Sequence, residues 1–486
     1  MIYFLYTDDS LGWFFTQNFE KSMNPHHAFL QALSNTLPTL SIKTDTESTQ
    51  HWGRDWTVHF DTHCQAVIFP KTTEEVSVIV KLANEHQTPL VPSGGRTGLS
   101  AAAVATKGEV VISFDKMNQI GQFYEADRMV EVDAGVITQS LQEFAKNQGL
   151  YYAVDFASSG SSQIGGNIST NAGGIKVIRY GMTRDQILGL TVVTGKGDIL
   201  TLNGGMLKNA TGYDFRHLFI GAEGTLGFIT KALIKLEKQP INLTAMVLGV
   251  TEFNGVVTLL AQFGQALTLT AFEFFDQLAV DKVIAAGHTK APFESQAPFY
   301  VLLEFEAIND DVLDLAMGVF EQCAEEGLIV DGVMSQSIGQ LQELWKLRES
   351  ISETISAFTP YKNDISVLIS HLADFISDIE HVVTANYPDF EICWFGHIGD
   401  GNLHLNILKP ANLTKDEFFE KCQTVNTYVF DTVQKYQGSI SAEHGVGMTK
   451  KPYLTYTRTQ TEIDYMKAIK AVFDPNGIIN PGKIFD

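Results

Sequence analysis

Between Trp52 and Lys238 the apolar residues fall in short runs separated by glycine clusters, a pattern typical of buried β-strands joined by loops. The clearest predicted strands are Gln65–Pro70, Glu109–Phe114 and Leu188–Thr194. Between the first two strands, the apolar positions of residues 73–85 recur at helical spacing and predict a helix. The first half of the chain therefore mixes strands and helices.

Beyond Pro240 the glycine clusters stop and longer helical patterns begin. They predict helices over residues 311–326, 338–357 and 416–436, with a strand over 299–305 between them. The tail returns to glycine- and proline-rich loops, then a helix over 462–473 and an Asp474–Gly477 turn. We therefore expect an N-terminal extension (1–22), a first domain (23–240, core about 60–239), a second domain (241–438) and a C-terminal segment (439–486).

The composition limits what this chain can bind. With 34 basic and 56 acidic residues, its formal net charge is −22. Such a surface repels phosphate backbones, so nucleic-acid binding is not expected, and an anionic substrate needs a locally cationic pocket. Apolar residues make up 44% of the 486 residues, enough for two or three hydrophobic cores.

The cysteines and the apolar segments predict a cytoplasmic protein. The four cysteines stand far apart, which excludes a disulfide framework, a zinc ribbon and an iron–sulfur module in this chain. No stretch approaches the ~18 apolar residues of a membrane span. The apolar opening has no basic residue before Lys21 and so lacks the flank of a secretory signal; Met23 is an alternative start, which would leave residues 1–22 as an extension.

Three glycine-rich loops follow one another in the first domain, at residues 92–98, 158–174 and 221–230. Closely spaced glycines let backbone N–H groups approach an anion, although each loop taken alone fits a plain turn. The first loop matches neither the Rossmann nor the P-loop fingerprint. Three such loops within about 140 residues favour a shared large ligand.

A histidine hairpin is predicted at residues 394–407, where two β-type runs flank Asp400-Gly401. A two-residue type I′ turn there would oppose His397 to His404, with Asn406 on the same face. Two imidazoles so placed can share a metal ion, but two ordinary half-buried histidines fit the pattern as well.

Further charged residues admit two interpretations each. The Glu443-His444 pair stands before two nearby glycines, which is natural for a site loop but also for a solvated pair. Arg348 and Ser352 are four residues apart on a predicted helix, and Lys362 follows a proline break. A lone arginine or lysine in an acidic protein is usually a surface ion-pair partner.

The three glycine-rich loops, read as PSGGRTGLS, SSGSSQIGGNISTNAGG and NATGYDFRHLFIGAEGTLGFIT, resemble the flavin domain of the vanillyl-alcohol-oxidase class. The motifs WFGHIGDGNLHLN, SAEHGVGMTK and FDPNGIINPGKIF are similar to those of the D-2-hydroxy-acid dehydrogenases within that class. The resemblance covers roughly residues 40–486. It implies an α+β protein with a two-part FAD-binding domain, an α+β substrate (cap) domain and a C-terminal segment that returns to the flavin.

The resemblance also implies how FAD is held. Its pyrophosphate would lie in the first loop and its isoalloxazine near the second, and Arg96 stands where some relatives carry a tethering histidine, so the FAD would be noncovalent. The implied cofactor contacts are Pro92, Ser93, Gly94, Gly95, Arg96, Thr97, Gly98, Asp155, Ser158, Ser159, Gly165, Gly166, Asn167, Thr170, Asn171, Gly181, Glu223, Gly224, Ile229 and Asn480.

For the reaction, the resemblance implies oxidation of D-2-hydroxyglutarate, and of related acids such as D-malate, to the 2-keto acid. The implied roles are divalent-metal ligand, most simply of zinc, for His397, His404 and Glu443; catalytic base for His444; and substrate contact for Arg348, Ser352, Lys362, Asn406 and His444.

The partners implied are a dicarboxylate substrate and a soluble acceptor such as electron-transfer flavoprotein; a homodimer is compatible with the sequence. Two alternatives stay open at this point. One is a D-lactate or glycolate dehydrogenase of the same flavin family, and the other is a nonredox metal- or anion-binding protein on this scaffold.

Overall fold

The computed structural model describes residues 25–57 and 60–486. The N-terminal extension expected over residues 1–22 lies outside the described residues. None of the described helices is long and apolar enough to cross a membrane.

The first half of the chain builds two main sheets and a small ribbon. Its strands are β1 (Ser41–Lys43), β2 (Ala66–Phe69), β3 (Leu90–Ser93), β4 (Val110–Ser113), β5 (Ile120–Tyr124), β6 (Met129–Asp133), β7 (Leu150–Tyr151), β8 (Ile187–Thr194), β9 (Ile199–Leu202), β10 (Gly227–Lys235) and β11 (Glu237–Lys238). Its helices are α1 (Pro25–Thr36), α2 (Thr46–Trp52), α3 (Thr73–Glu85), α4 (Thr138–Asn147), α5 (Ile164–Thr170), α6 (Val177–Tyr180), α7 (Thr183–Gln186) and α8 (Arg216–Phe219).

The two main sheets of this half differ in their pairing. A four-stranded sheet has the order β1-β2-β4-β3, in which β2, β4 and β3 are parallel and β1 is antiparallel. A five-stranded antiparallel sheet has the order β5-β6-β10-β8-β9, and β7 pairs with β11. The two sheets supply the two parts that the sequence analysis expects of the flavin domain.

Helix α3 shows how local sequence sets these elements. Thr72 caps its N-terminus by accepting a hydrogen bond from the backbone N–H of Glu75. Val76, Ile79 and Val80 lie on one stripe and are fully buried in the core shared with the four-stranded sheet. The helix spans the residues predicted from its apolar spacing.

The second half builds one large antiparallel sheet and longer helices. Its strands are β12 (Leu243–Val250), β13 (Leu269–Asp276), β14 (Phe299–Glu306), β15 (Ile329–Met334), β16 (Tyr361–Ser366), β17 (Ile392–Gly396) and β18 (Asn402–Ile407). Its helices are α9 (Phe253–Ala266), α10 (Gln277–Ala285), α11 (Asp310–Glu325), α12 (Ile338–Glu349), α13 (Ile351–Ser356), α14 (Leu372–Asn386), α15 (Lys415–Lys435) and α16 (Gln460–Phe473), with 3₁₀ turns at Ile369–His371, Ile398–Asp400 and Lys451–Tyr456.

The seven-stranded sheet, in the order β15-β12-β14-β13-β17-β18-β16, separates two cores. Helices α9, α11, α14 and α15 pack on one face, where Phe272 and Phe274 of β13 are buried. Helices α10, α12 and α13 pack on the other face with Ala271 and Phe275. This second face also carries the buried carboxylates Glu273 and Glu304, and Lys176 of the first domain pairs with Glu304 there.

The helix predicted over 338–357 is not continuous. The structure ends α12 at Glu349 and starts α13 at Ile351, with Ser350 between them. The apolar pattern does not reveal this break because residues on both sides of it enter the same core, including Leu347 and Ile351. Apart from the hairpin over 394–407, the other predicted elements lie within two residues of the observed ones.

The C-terminal segment returns to the first domain, as the resemblance implies. Ile478 O accepts a hydrogen bond from Leu90 N at 2.8 Å, and Asn480 N donates to Leu90 O at 2.7 Å. The buried Lys483 Nζ donates to Val104 O at 2.8 Å. The 441–447 loop, at the start of the segment, contacts the third glycine-rich loop, because Val446 N and Gly447 N each donate to the Glu223 carboxylate at 2.7 Å.

Candidate active site

The three glycine-rich loops meet in the structure. A Cβ on Gly95 would lie 2.2 Å from Ser161 O of the second loop, and one on Gly224 would lie 2.6 Å from Pro92 Cγ of the first. Only glycine allows approaches this close. By contrast, a Cβ on Gly166 would meet nothing within 4 Å, so its backbone faces open space.

That open space is a cleft between the loops and the strand β10. Predicted cofactor contacts that line it are Pro92, Gly94, Gly165, Gly166, Thr170, Glu223, Gly224 and Ile229. The lining is mostly backbone and small apolar side chains, which suits a large flat ligand such as FAD. The loop residues present therefore fit the cofactor that the sequence indicates.

Two predicted cofactor contacts, Asn480 and Asn167, instead have side chains that form hydrogen bonds within the protein. The Asn480 amide donates to Ala102 O and to Glu223 O, at 2.9 and 2.7 Å. The Asn167 amide donates to Thr138 Oγ1 at 2.7 Å. The others outside the cleft lining are Ser93, Gly95, Arg96, Thr97, Gly98, Asp155, Ser158, Ser159, Asn171 and Gly181. Their contact with FAD stays a prediction.

Arg96 has a left-handed backbone, with φ of 60°, at the turn of the first loop. Its Nη1 donates to Gly94 O at 3.0 Å and lies 3.5 Å from Asp115 Oδ1. Asp115 also accepts from Gln163 Nε2 and from Trp52 Nε1. Through Asp115, Arg96 of the first loop is thus linked to Gln163 of the second loop.

The predicted histidine hairpin is wrong in its turn and its register. Strands β17 and β18 pair Phe395 with His404, and a 3₁₀ turn over Ile398–Asp400 replaces the two-residue type I′ turn. Contacts outside the hairpin favour the longer turn: a Cβ on Gly401, whose φ is +79°, would lie 2.1 Å from the Val367 carbonyl oxygen. Because the register shifts by two residues, His397 keeps its face, and its ring centroid lies 5.4 Å from that of His404.

Three imidazoles converge on one carboxylate at the end of this hairpin. Glu443 Oε1 lies 3.8 Å from His397 Nε2, 3.7 Å from His404 Nε2 and 3.8 Å from His444 Nε2. Ligand atoms at about 2.0–2.1 Å from one tetrahedral zinc would be about 3.3–3.4 Å apart. The distances from Glu443 Oε1 to the three imidazoles are a few tenths of an ångström longer than that, so each imidazole could share a divalent ion with Glu443.

The second glycine-rich loop lies directly beside this cluster. A Cβ on Gly173 would sit 3.3 Å from Glu443 Oε2. A Cβ on Gly399 of the hairpin would sit 2.7 Å from Ile178 Cδ1 on α6. The carboxylate and imidazole cluster is thus packed against the loop near which the resemblance places the isoalloxazine.

Asp364 on β16 was not identified from the sequence. This buried carboxylate accepts hydrogen bonds from the backbone N–H groups of Glu443 and His444, at 3.0 and 2.9 Å. Its oxygens also lie 3.9 Å from His404 Nδ1 and 3.6 Å from His444 Nδ1. Among the described residues, the group of possible ligands whose ligand atoms all lie within 4.8 Å of one another is Asp364, His404, Glu443 and His444; it does not contain the predicted ligand His397.

Glu273 on β13 is the other carboxylate that the sequence analysis missed. Its Oε1 bonds His397 Nδ1 at 2.8 Å, and its Oε2 lies 2.8 Å from Arg348 Nε. A signal was present: Glu273 interrupts an apolar strand, where a charged residue is rarely buried without a partner. The same holds for Glu304 on β14, which accepts from Trp345 Nε1 at 2.9 Å and pairs with Lys176.

Burial and neighbouring charges shift the pKa values of these groups in opposite directions. Burial alone would raise the pKa of Asp364, but His444, Lys450 and His404 hold it well below its usual range. Burial lowers the pKa of His444, although Asp364 and Glu443 oppose the shift. Burial would also lower the pKa of His397, but Glu273 outweighs it and raises that pKa to about 9.

The residues predicted to bind substrate lie near the cluster to different degrees. Arg348 is buried, with its guanidinium 4.8 Å from the centre of the Phe395 ring. Lys362 pairs with Asn406 across β16 and β18, one alternation along from Asp364 and His404, so these four residues share a sheet face. Ser352 on α13 is half-buried, and no described residue accepts a hydrogen bond from its hydroxyl group.

Comparisons with known proteins agree with this architecture. Residues 64–203 match the FAD binding domain, and residues 239–484 match the C-terminal domain of FAD linked oxidases. Among solved structures, p-cresol methylhydroxylase with substrate bound superposes with a TM-score of 0.76 at 14% identity, over 95% of this chain and 97% of that chain. That likeness shows the vanillyl-alcohol-oxidase type of fold and nothing more.

Sequence relatives are much nearer. D-2-hydroxyglutarate dehydrogenase of Stutzerimonas stutzeri is 62% identical over 458 residues, which are 93% of this chain and 99% of the relative. D-2-hydroxyglutarate dehydrogenase of Xanthomonas citri pv. viticola is 46% identical over 94% of this chain and 96% of the relative. On this similarity over nearly the whole length, the chain belongs to the D-2-hydroxyglutarate dehydrogenase family of FAD-linked oxidoreductases.

Proposed function

We propose that this protein oxidises D-2-hydroxyglutarate, and related acids such as D-malate, to the corresponding 2-keto acid. The observation that carries the proposal is the convergence of His397, His404 and His444 on Glu443, directly beside the second glycine-rich loop. When bound, FAD supplies the two-electron acceptor and a divalent ion supplies a Lewis acid for the 2-hydroxy acid. The chain's own residues bind the substrate, orient it and take its hydroxyl proton.

His397, His404 and Glu443 are the proposed metal ligands, most simply for zinc. The alternative donor set is Asp364, His404, Glu443 and His444, which leaves out His397 and includes the proposed base. However, Asp364 already accepts hydrogen bonds from two backbone N–H groups and from the Asn402 amide. It also lies on the Nδ1 side of the His404 ring, whereas Glu443 lies on the Nε2 side. The Nε2 side therefore offers the freer donors.

His444 is the proposed general base. Its Nε2 points into the cluster toward Glu443, and its Nδ1 lies on the Asp364 side. Because burial lowers its pKa, the imidazole is neutral at neutral pH and can accept the hydroxyl proton at Nε2. Asp364 then stabilises the imidazolium that forms, from the opposite side of the ring.

Arg348, Ser352, Lys362 and Asn406 are the proposed contacts to the substrate's carboxylates. Arg348 enters the site from α12 above the sheet face that carries Lys362 and Asn406. Arginine holds both oxygens of a carboxylate through its planar fork, and a second cation strengthens the hold on a dianion. In a chain of net charge −22, two cations at one site favour a dicarboxylate over D-lactate or glycolate.

Replacing Arg348 by alanine should change selectivity more than general activity. Losing a charge-assisted hydrogen bond to the distal carboxylate costs about 1.5–3 kcal/mol, so kcat/KM for D-2-hydroxyglutarate should fall roughly 10- to 150-fold further than that for D-lactate. Steady-state kinetics on both acids measure the ratio. Arg458→Ala, which removes an exposed arginine paired with Glu462, is the control and should leave the ratio unchanged. Equal losses on both acids would show that Arg348 does not bind the distal carboxylate.

The bound FAD should be noncovalent, since Arg96 stands in the first loop and bonds Gly94 O. Acid precipitation of the purified holoenzyme should release all of the flavin into the supernatant, and absorbance spectra of both fractions measure it. Yellow colour retained in the washed pellet would show a covalent link and contradict this prediction.

The proposed function is tested by a dye-reduction assay against D-2-hydroxyglutarate, D-malate, D-lactate and glycolate. D-2-hydroxyglutarate should have the highest kcat/KM. A preference for D-lactate or glycolate would replace the proposal by the runner-up activity in the same flavin family. Absence of flavin and of turnover would favour the nonredox alternative.

The electron acceptor, the cellular location and the oligomeric state are also part of the proposal. Reduced FAD needs an acceptor, and a soluble protein such as electron-transfer flavoprotein is the one we propose. A cytoplasmic location and a homodimer complete the proposal. Size-exclusion chromatography tests the homodimer. Reduction of the purified acceptor by the enzyme with its substrate tests the acceptor.

A further inference from the structure

One buried carboxylate joins the two ends of the proposed substrate site. Glu273 is 1% exposed and lies on β13, between β14 and β17 in the middle of the large sheet. Its two oxygens have different partners: Oε1 bonds His397 Nδ1 and Oε2 faces Arg348 Nε, each at 2.8 Å. His397 belongs to the proposed metal end of the site and Arg348 to the distal-carboxylate end.

We propose that Glu273 is a positioning residue that fixes the distance between these two ends and thereby selects the length of the substrate chain. This inference rests on the proposed function. Glu273 would not touch the substrate itself. Through His397 and Arg348 it would favour a five-carbon dicarboxylate over a shorter 2-hydroxy acid.

At the metal end, Glu273 sets the orientation of the His397 ring. A carboxylate accepts hydrogen bonds and cannot donate them when ionised, so the proton sits on His397 Nδ1. Nε2 faces Glu443 Oε1, 3.8 Å away, and would offer its lone pair to a metal bound between them. Partners of this kind fix both the tautomer and the angle of a ligating imidazole.

At the other end, Glu273 forms an ion pair with one nitrogen of Arg348, Nε. The Nε group faces Glu273 while the guanidinium lies over the Phe395 ring, which limits its rotation. In the part of the chain that the structure describes, no group accepts a hydrogen bond from Nη1 or Nη2 of Arg348. Those two nitrogens are the pair that binds a carboxylate in fork geometry, and Glu273 holds them in place.

The backbone around Glu273 gives this link little freedom. The β13–β17 register pairs Phe274 with Gly396 and Phe275 with Phe395, so Glu273 and His397 are adjacent at the end of the same ladder. β13 is also paired with β14 from Leu269 to Asp276, with one irregularity between Leu269 and Ala271. Residues on central strands of a sheet are held more precisely than residues on loops, so the distance between His397 and Arg348 is well fixed.

The test compares Glu273→Gln with wild type. Glutamine can still accept from His397 Nδ1 through its oxygen, but its amide N–H₂ would face Arg348 Nε, donor against donor. We expect the dissociation constant for 2-oxoglutarate, the dicarboxylate product, to rise at least about 10-fold more than that for pyruvate. Perturbation of the flavin absorbance measures both constants without turnover, and the kcat/KM ratio of D-2-hydroxyglutarate to D-lactate should fall by the same factor.

Asp276→Asn is the matched control. Asp276 lies on the same strand, is buried, and accepts hydrogen bonds from Ala279 N and Trp394 N, so its substitution also places a donor against a donor. Because Asp276 touches neither His397 nor Arg348, the control should lower stability without changing the ratio. Equal loss of both ligands in Glu273→Gln, as in the control, would overturn the inference.

Two further measurements keep the test decisive. If Glu273→Gln does not fold, Glu273→Asp keeps the charge but is one methylene too short to reach both partners, and it should show the same loss of selectivity; an unchanged ratio in that variant overturns the inference. Wild-type activity is measured first: if wild type itself does not prefer D-2-hydroxyglutarate, the proposed function has failed, which is a different result from a wild-type preference that Glu273 does not control.

Discussion

Replacing His444 by alanine should lower kcat by about 10²- to 10⁴-fold while FAD and the substrate still bind. The reason is that His444 Nε2 faces the cluster beside Glu443, where it can take the hydroxyl proton. The loop should keep its shape in the variant, because it is held by backbone bonds from Glu443 and His444 to Asp364 and from Val446 and Gly447 to Glu223.

Rapid-mixing measurement of flavin reduction separates this chemical step from acceptor turnover. His381→Ala is the control, because His381 is exposed on α14, which packs on the opposite face of the large sheet. Added imidazole should restore part of the rate in His444→Ala, since it supplies the missing base. Near-normal reduction by D-2-hydroxyglutarate at neutral pH would show that the base is another group.

Removal of the divalent ion should abolish turnover yet leave FAD bound and the melting temperature little changed. The ion would be held by three protein donors with one coordination position open, which is the arrangement of a catalytic site. The backbone bonds to Asp364 and Glu223 hold the 441–447 loop without it. After chelator treatment and dialysis, elemental analysis verifies that the metal is gone. An activity assay, a flavin spectrum and differential scanning calorimetry then measure the three expectations.

Zinc added back should restore turnover, and manganese or cobalt should substitute in part. His397→Ala and His404→Ala should each behave like the chelated enzyme, with FAD retained. The prediction fails if chelated protein, shown by elemental analysis to be free of metal, keeps its full activity.

Local sequence predicted the boundaries of most elements because it carried their determinants. The cap at Thr72 and the apolar stripe of α3 are examples. The hairpin at Asp400-Gly401 shows the limit of this reasoning. Its turn is shaped by Val367 and by Ile178, both distant in sequence, so a dipeptide rule could not find the 3₁₀ turn. His397 nevertheless reached the predicted face, because a two-residue shift preserves the alternation of a strand.

The sequence identified the residues of the carboxylate and imidazole cluster, but not the carboxylates that contact them from neighbouring strands. Motif resemblance pointed to His397, His404, Glu443 and His444, which the structure brings together, although their individual roles stay predictions. Asp364 and Glu273 act on these groups from neighbouring strands, and their partners follow from sheet pairing that no local pattern specifies. A search for single charges inside apolar strands would have identified Glu273 as a residue in need of a partner.

The most direct measurement of the central claim is anaerobic mixing of the metal-loaded, FAD-containing protein with D-2-hydroxyglutarate, followed by the flavin absorbance. D-2-hydroxyglutarate should bleach the flavin within the turnover time and yield one 2-oxoglutarate per flavin, while L-2-hydroxyglutarate should not. If D-2-hydroxyglutarate leaves the flavin oxidised in protein whose FAD is still reducible by dithionite, this protein is not a D-2-hydroxyglutarate dehydrogenase in function.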